Sequence, residues 1–84
     1  MSQILDDVQK AALGIILEKG VVGGEELMAK TQKSDSELFS AMKVLVNIGV
    51  VNSNTVLYSP DVLRSTYFNL KPSKMGLAKD LLSS

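Results

Sequence analysis

The sequence predicts a mainly α-helical domain closed by a small β-hairpin, with elements in the order α-β-α-α-β-β-α. Apolar residues recur at three- and four-residue steps over about residues 3–19 and again over 35–48, the spacing of one buried helix face. Glycines at Gly20, Gly23-Gly24 and Gly49 punctuate those runs. Two β-prone runs, 55–58 and 65–70, flank a loop that contains Pro60 and Asp61. With 84 residues, the chain is read as one domain over 1–84, which buries roughly 60–65% of its unfolded surface.

The first helix is expected over about 3–19, with Ile4, Leu5, Val8, Ala11, Ala12, Ile15 and Ile16 as its apolar stripe. Gly20 ends it after Lys19. Val21-Val22 is too short for an independent strand but can pair as a stub against the hairpin. Gly23-Gly24 then breaks the chain before Glu25 and Glu26, whose charges suit the amino end of a helix anchored by Leu27 and Ala29. These glycines lack the glycine-lysine-serine/threonine ending of a phosphate-binding loop.

Ser34 and Glu37 have the capping-box spacing and set the start of the next helix. There Leu38, Ala41, Met42, Leu45 and Ile48 form the apolar stripe, leaving Ser36, Ser40, Lys43 and Asn47 on the opposite face. A short helix, a polar turn and a longer polar-faced helix over 25–48 make a helix-turn-helix. After Gly49, Val50-Val51 starts an extended region with a turn at Asn52–Asn54. Strands at 55–58 and 65–70 then enclose a loop of about six residues. Pro72 limits the second strand, and Ser73 caps a last helix carrying Met75, Leu77, Ala78, Leu81 and Leu82.

Composition restricts the chemistry. There is no cysteine and no histidine, which removes disulfides, thiolate metal sites and the commonest general base and metal ligand. The adjacent acidic pairs Asp6-Asp7 and Glu25-Glu26 diverge around their helices, and no nucleophile or metalloprotease motif is present. The expectation is a protein that is not an enzyme and holds neither metal nor organic cofactor. Apolar content of 45% fits a globular domain. No run approaches the 18 apolar residues of a membrane span, and residues 1–10, with Asp6 and Asp7, make a poor signal peptide. No membrane partner is expected, and the expected location is cytoplasmic. Nine basic residues balance nine acidic ones, so the chain lacks the basic excess common in nucleic-acid modules.

The helix-turn-helix at 25–48, the exit Leu45, Ile48-Gly49-Val50-Val51 and the run 67–72 entering a final helix together resemble the winged-helix superfamily of DNA-binding domains. The resemblance spans about residues 8–82 and implies a wing at about 50–71. It also implies a double-stranded DNA-binding regulator of transcription, or a DNA-associated control protein, that reads the major groove with helix 35–48. Ser36, Ser40, Lys43 and Asn47 are then the recognition-helix candidates. Asn47 suits adenine, Lys43 guanine or phosphate, and the serines either base edges or phosphate. Lys30 and Lys33 flank the turn as backbone contacts, and the resemblance gives Arg64, at the wing tip, a minor-groove or backbone role. Asp35 and Glu37 stand near the end of the helix that usually approaches DNA and would repel phosphate.

Other readings remain open. The outer helices carry Leu13, Leu81 and Leu82 beyond what one core must consume, which is compatible with a homodimer spanning two major grooves about 34–36 Å apart. The balanced charge also fits a winged-helix adaptor that binds protein through Phe39, Val62 or Leu63. Phe39 itself is expected to pack against the short helix, and Tyr58, Tyr67 and Phe68 to pack across the hairpin rather than stack on bases.

Overall fold

The computed structural model describes residues 5–83. Its helices are α1 (Asp7–Lys19), α2 (Gly24–Thr31), α3 (Asp35–Asn47) and α4 (Met75–Ser83). Its strands are β1 (Val21–Gly23), β2 (Val51–Ser53) and β3 (Tyr67–Leu70), and short 3₁₀ helices cover Pro60–Ser65 and Pro72–Lys74. The domain is thus mainly helical with a small antiparallel sheet in the order β1-β3-β2. The expected order of elements is reproduced, and the β1 stub pairs against β3 with Val22 opposite Phe68.

Local chemistry fixes the helix ends. Asp6 caps α1: its Oδ1 accepts from the Gln9 N–H at 2.8 Å, while the Asp6 N–H donates to Gln9 Oε1 at 2.9 Å. The helix therefore starts at Asp7, four residues later than the apolar spacing implied. Gln3 and Ile4, assigned to this helix from sequence, lie outside the described residues. The stripe is also rotated from the expected one, because Leu13 is fully buried and Ala11 is exposed. Gly20 closes α1 as expected, at φ 84°, with its N–H donating to the Ile16 carbonyl. In α2 Leu27 is buried and Met28 packs against the core, but Ala29 is exposed and anchors nothing. Lys19 at the end of α1 reaches Glu26 of α2 at 2.9 Å, and that hydrogen-bonded carboxylate raises the Lys19 pKa above its ordinary value.

Capping at α3 follows the sequence. Ser34 Oγ accepts from the Glu37 N–H at 3.2 Å, and Glu37 Oε1 accepts from the Ser34 N–H at 3.4 Å. The helix phase follows it too, with Leu38, Ala41, Met42 and Leu45 buried. Leu38, Met42 and Leu45 join Leu13, Ile16, Leu27, Val22, Phe68, Ala78 and Leu81 in one continuous core. Leu13 and Leu81, expected as apolar surplus on the outer helices, are buried inside the domain, and Leu82 is partly buried against it. On α4 the exposed apolar residues are Met75 and Leu77.

The largest departure is in the connection from β2 to β3. The strand that pairs with β3 is 51–53, not 55–58, with Val51 opposite Leu70 and Ser53 opposite Phe68. Asn54, expected in a turn, instead extends the pairing: its N–H donates to the Tyr67 carbonyl at 3.1 Å, and its Oδ1 accepts from the Tyr67 N–H at 2.9 Å. Residues 55–58 continue without pairing as a strand, and β3 starts at Tyr67 because 60–65 is wound into the 3₁₀ helix.

That 3₁₀ helix folds back against α2 and α3 rather than projecting as a tip. Leu63 is fully buried, so it is a core residue and not an exposed docking anchor. Val62 and Phe39 are partly buried against the same core. The seat is Gly24, where a Cβ would collide with the Leu63 carbonyl oxygen. The Gly24 N–H donates to the Thr66 carbonyl at 2.8 Å, and the buried Thr66 hydroxyl donates to the Val62 carbonyl at 2.6 Å. At the other end of β3, Ser73 sits inside the second 3₁₀ helix and does not cap α4.

Of the three aromatic residues expected to pack across the hairpin, only Phe68 enters the core. Tyr67 is exposed on the outer sheet face and lies across Gly23, where a Cβ would stand 3.2 Å from the ring. Tyr58 is 72% exposed in the unpaired connection.

Candidate nucleic-acid interface

Ser36, Ser40, Lys43 and Asn47 are all exposed on α3. Their spacing of four, three and four residues places them along one side of the helix. Leu38, Met42 and Leu45 on the other side are inaccessible to solvent. The buried stripe runs along one side of the helix, and Ser36, Ser40, Lys43 and Asn47 lie along the side away from it.

The two ends of α3 differ in charge. At its amino end Asp35 and Glu37 lie in the first turn, and Glu37 is drawn back over Ser34, where its Oε1 also accepts from the Ser34 hydroxyl at 3.1 Å. That carboxylate occupies the Ser34 N–H and puts negative charge at the helix end that would otherwise attract phosphate. Toward the carboxyl end stands Lys43, whose Nζ lies 5.6 Å from the centroid of the Phe39 ring. Lys30 in the last turn of α2 and Lys33 in the following turn are exposed. Between them Gln32 takes a left-handed conformation at φ 57°.

Lys43, Val46 and Asn47 form one wall of an open groove, and residues 53–57 form the other. Val56 is 78% exposed there. The far wall is braced by the Asn54 bonds to Tyr67 and by a 2.8 Å bond from the Ser53 hydroxyl to the Thr55 carbonyl. Sequence reasoning missed this groove, because it treated 55–58 as a paired strand. Val46, three residues from Lys43 and off the buried stripe, was the signal available for the α3 wall.

Arg64 is not part of that groove. It is exposed on the 3₁₀ helix and borders a second hollow with Gly23, Glu25, Glu26, Ala29 and Tyr67. The sole arginine thus faces the acidic start of α2. The basic residues singled out from sequence are consequently divided: Lys43 stands beside residues 53–57, and Arg64 beside Glu25 and Glu26.

Among the described residues there is no group of three or more carboxylates placed to hold a metal ion. No buried side-chain polar atom lacks a hydrogen-bond partner there, and no helix is long and apolar enough to cross a membrane. No protein-family model matches the chain, and no curated protein or solved structure matches it either.

Proposed function

We propose that this chain is a winged-helix-like domain that binds double-stranded DNA through the outward face of α3, as a non-catalytic control protein such as a transcriptional regulator. The supporting observation is the unbroken exposed line Ser36, Ser40, Lys43 and Asn47 on a helix whose opposite side is fully buried. A helix about 10–12 Å across with polar side chains on one face fits a major groove about 12 Å wide. Lys43 supplies a phosphate contact from the helix, and Lys30 and Lys33 supply further ones from α2 and the turn. Arg64 contributes less than its position in sequence implied, because Glu25 and Glu26 share its hollow. A twofold pair, if the domain forms one, has to use surface such as Met75 and Leu77 rather than Leu13 or Leu81.

Fluorescence anisotropy with a labelled random-sequence duplex over a salt series tests the reading. Affinity is expected to fall linearly with salt on logarithmic axes, and Lys43→Ala is expected to lower the slope by about one. Undetectable binding in dilute buffer, or binding indifferent to salt, contradicts it.

A second reading, a protein-binding adaptor, draws support from Val56 and Tyr58, both more than two-thirds exposed in the β2–β3 connection. It takes precedence if duplex binding is absent at low salt.

A further inference from the structure

We propose that the groove between α3 and residues 53–57 selects A·T over G·C base pairs, with Asn47 hydrogen-bonding adenine and Val56 meeting the thymine methyl group. This rests on the DNA-binding reading above and names the base pair that the same face takes.

Each base shows a different pattern in the major groove. Guanine offers two acceptors, best met by the fork of an arginine or by a lysine. Cytosine offers an amino donor, met by a carboxylate. Adenine offers one donor and one acceptor side by side, matched by an asparagine amide, and thymine alone adds a methyl group.

The groove holds one set of these partners. Asn47 brings a donor and an acceptor on a single planar group, and Val46 and Val56 bring apolar surface on the two facing walls. No arginine lies on α3, and the sole arginine borders the other hollow. No carboxylate lines the groove, since Asp35 and Glu37 are at the far end of the helix and Glu37 is bonded to Ser34. Cytosine therefore has no carboxylate to meet there.

Lys43 is the competing feature, because an ammonium can also reach guanine. It differs from an arginine in being a strongly hydrated point charge with no fixed fork. Set over the Phe39 ring at 5.6 Å, it adds attraction for phosphate that is the same for every sequence. The acidic amino end of α3 directs the same outcome. It favours approach by the half of the helix that carries Lys43 and Asn47, where a full positive charge outweighs the roughly half charge of the terminal carbonyls.

Anisotropy titrations of the whole chain at one fixed salt concentration test this. The probes are two duplexes of equal length, one of alternating A·T pairs and one of alternating G·C pairs. Two altered A·T duplexes carry uracil for thymine or 7-deazaadenine for adenine. The A·T duplex is expected to bind about fivefold to a hundredfold more tightly than the G·C duplex. Uracil, which lacks only the methyl group, is expected to weaken binding by about fourfold, and 7-deazaadenine to weaken it further by removing an acceptor. Asn47→Ala should bring the A·T and G·C affinities together, and Val56→Ala should remove the sensitivity to uracil. Both positions are exposed, so these variants retain the fold, which circular dichroism verifies.

Equal affinity for the two duplexes with a normal salt slope overturns the base preference and leaves DNA binding standing. A preference that survives both substitutions overturns it as well, because it would then come from duplex shape. Absence of binding to every duplex overturns this inference together with the reading it rests on.

Discussion

Helix α3 and the β2–β3 connection face each other across one groove, yet different physics holds each in place. The helix rests on distributed interactions: a reciprocal cap at Ser34 and Glu37 and a buried stripe along its length. The connection rests on fewer points: the Asn54 bonds to Tyr67, the Leu57 and Leu63 side chains in the core with Val62 packed beside them, and the close approach of the Leu63 carbonyl to Gly24. A distributed support tolerates most single changes on its exposed side. A point support is lost with one atom. The difference locates the vulnerable half of the proposed interface in the connection rather than in the helix that carries most of its polar groups.

The largest expected effects come from removing an anchor of either wall. Leu45→Ala and Leu63→Ala should each cost about 2–5 kcal/mol, since both side chains are fully buried. Denaturant unfolding measures that loss. Amide hydrogen exchange separates the two variants: Leu63→Ala is expected to speed exchange over 59–66 ahead of the remaining amides, whereas Leu45→Ala speeds it across the core. Identical exchange patterns would erase the contrast between distributed and local support.

A sharper result concerns sign. Glycine at the start of a helix normally gains stability on replacement by alanine, by up to about 1 kcal/mol. At Gly24 the added methyl meets the Leu63 carbonyl, so Gly24→Ala is expected to destabilise by about 1–3 kcal/mol instead. A more stable variant in thermal or denaturant unfolding would show that the 3₁₀ helix is not seated on α2.

These two regions were unequally legible in the sequence, for the same physical reason. Helix α3 could be read because its cap and its apolar spacing are local, and Leu38, Met42 and Leu45 point inward as the spacing requires. The connection could not, because nothing within 54–66 reports that Gly24, some forty residues earlier, leaves room for a carbonyl. The β-prone run at 55–58 looked like the pairing strand, but the pairing uses 51–53, where Val51 can turn inward beside Leu70. Leu63 looked exposed because it neighbours Pro60 and Asp61, a turn signal that here opens a packed 3₁₀ helix. At the candidate interface, the α3 residues were found from spacing alone. The facing wall and the separation of Arg64 depended on where the connection folds.

Smaller effects complete the comparison. Ser34→Ala removes the acceptor for the Glu37 N–H and should cost about 0.5–2 kcal/mol, visible as faster amide exchange confined to the first turn of α3. Asn54→Ala removes the oxygen that accepts from the Tyr67 N–H and the Thr55 hydroxyl and should cost about 0.5–1.5 kcal/mol. Its distinguishing effect is a change in the chemical shifts of residues 53–57 with α3 undisturbed. Spread of those changes into α3 would mean that the two walls are mechanically coupled.

The most direct test of the central claim is an NMR titration of isotope-labelled protein with a short A·T-containing duplex at low salt. The largest shift changes are expected at Ser36, Ser40, Lys43 and Asn47 and at residues 53–57, with smaller ones at Lys30 and Lys33. Changes centred on Glu25, Arg64 and Tyr67, or a spectrum unmoved by saturating duplex, would contradict it.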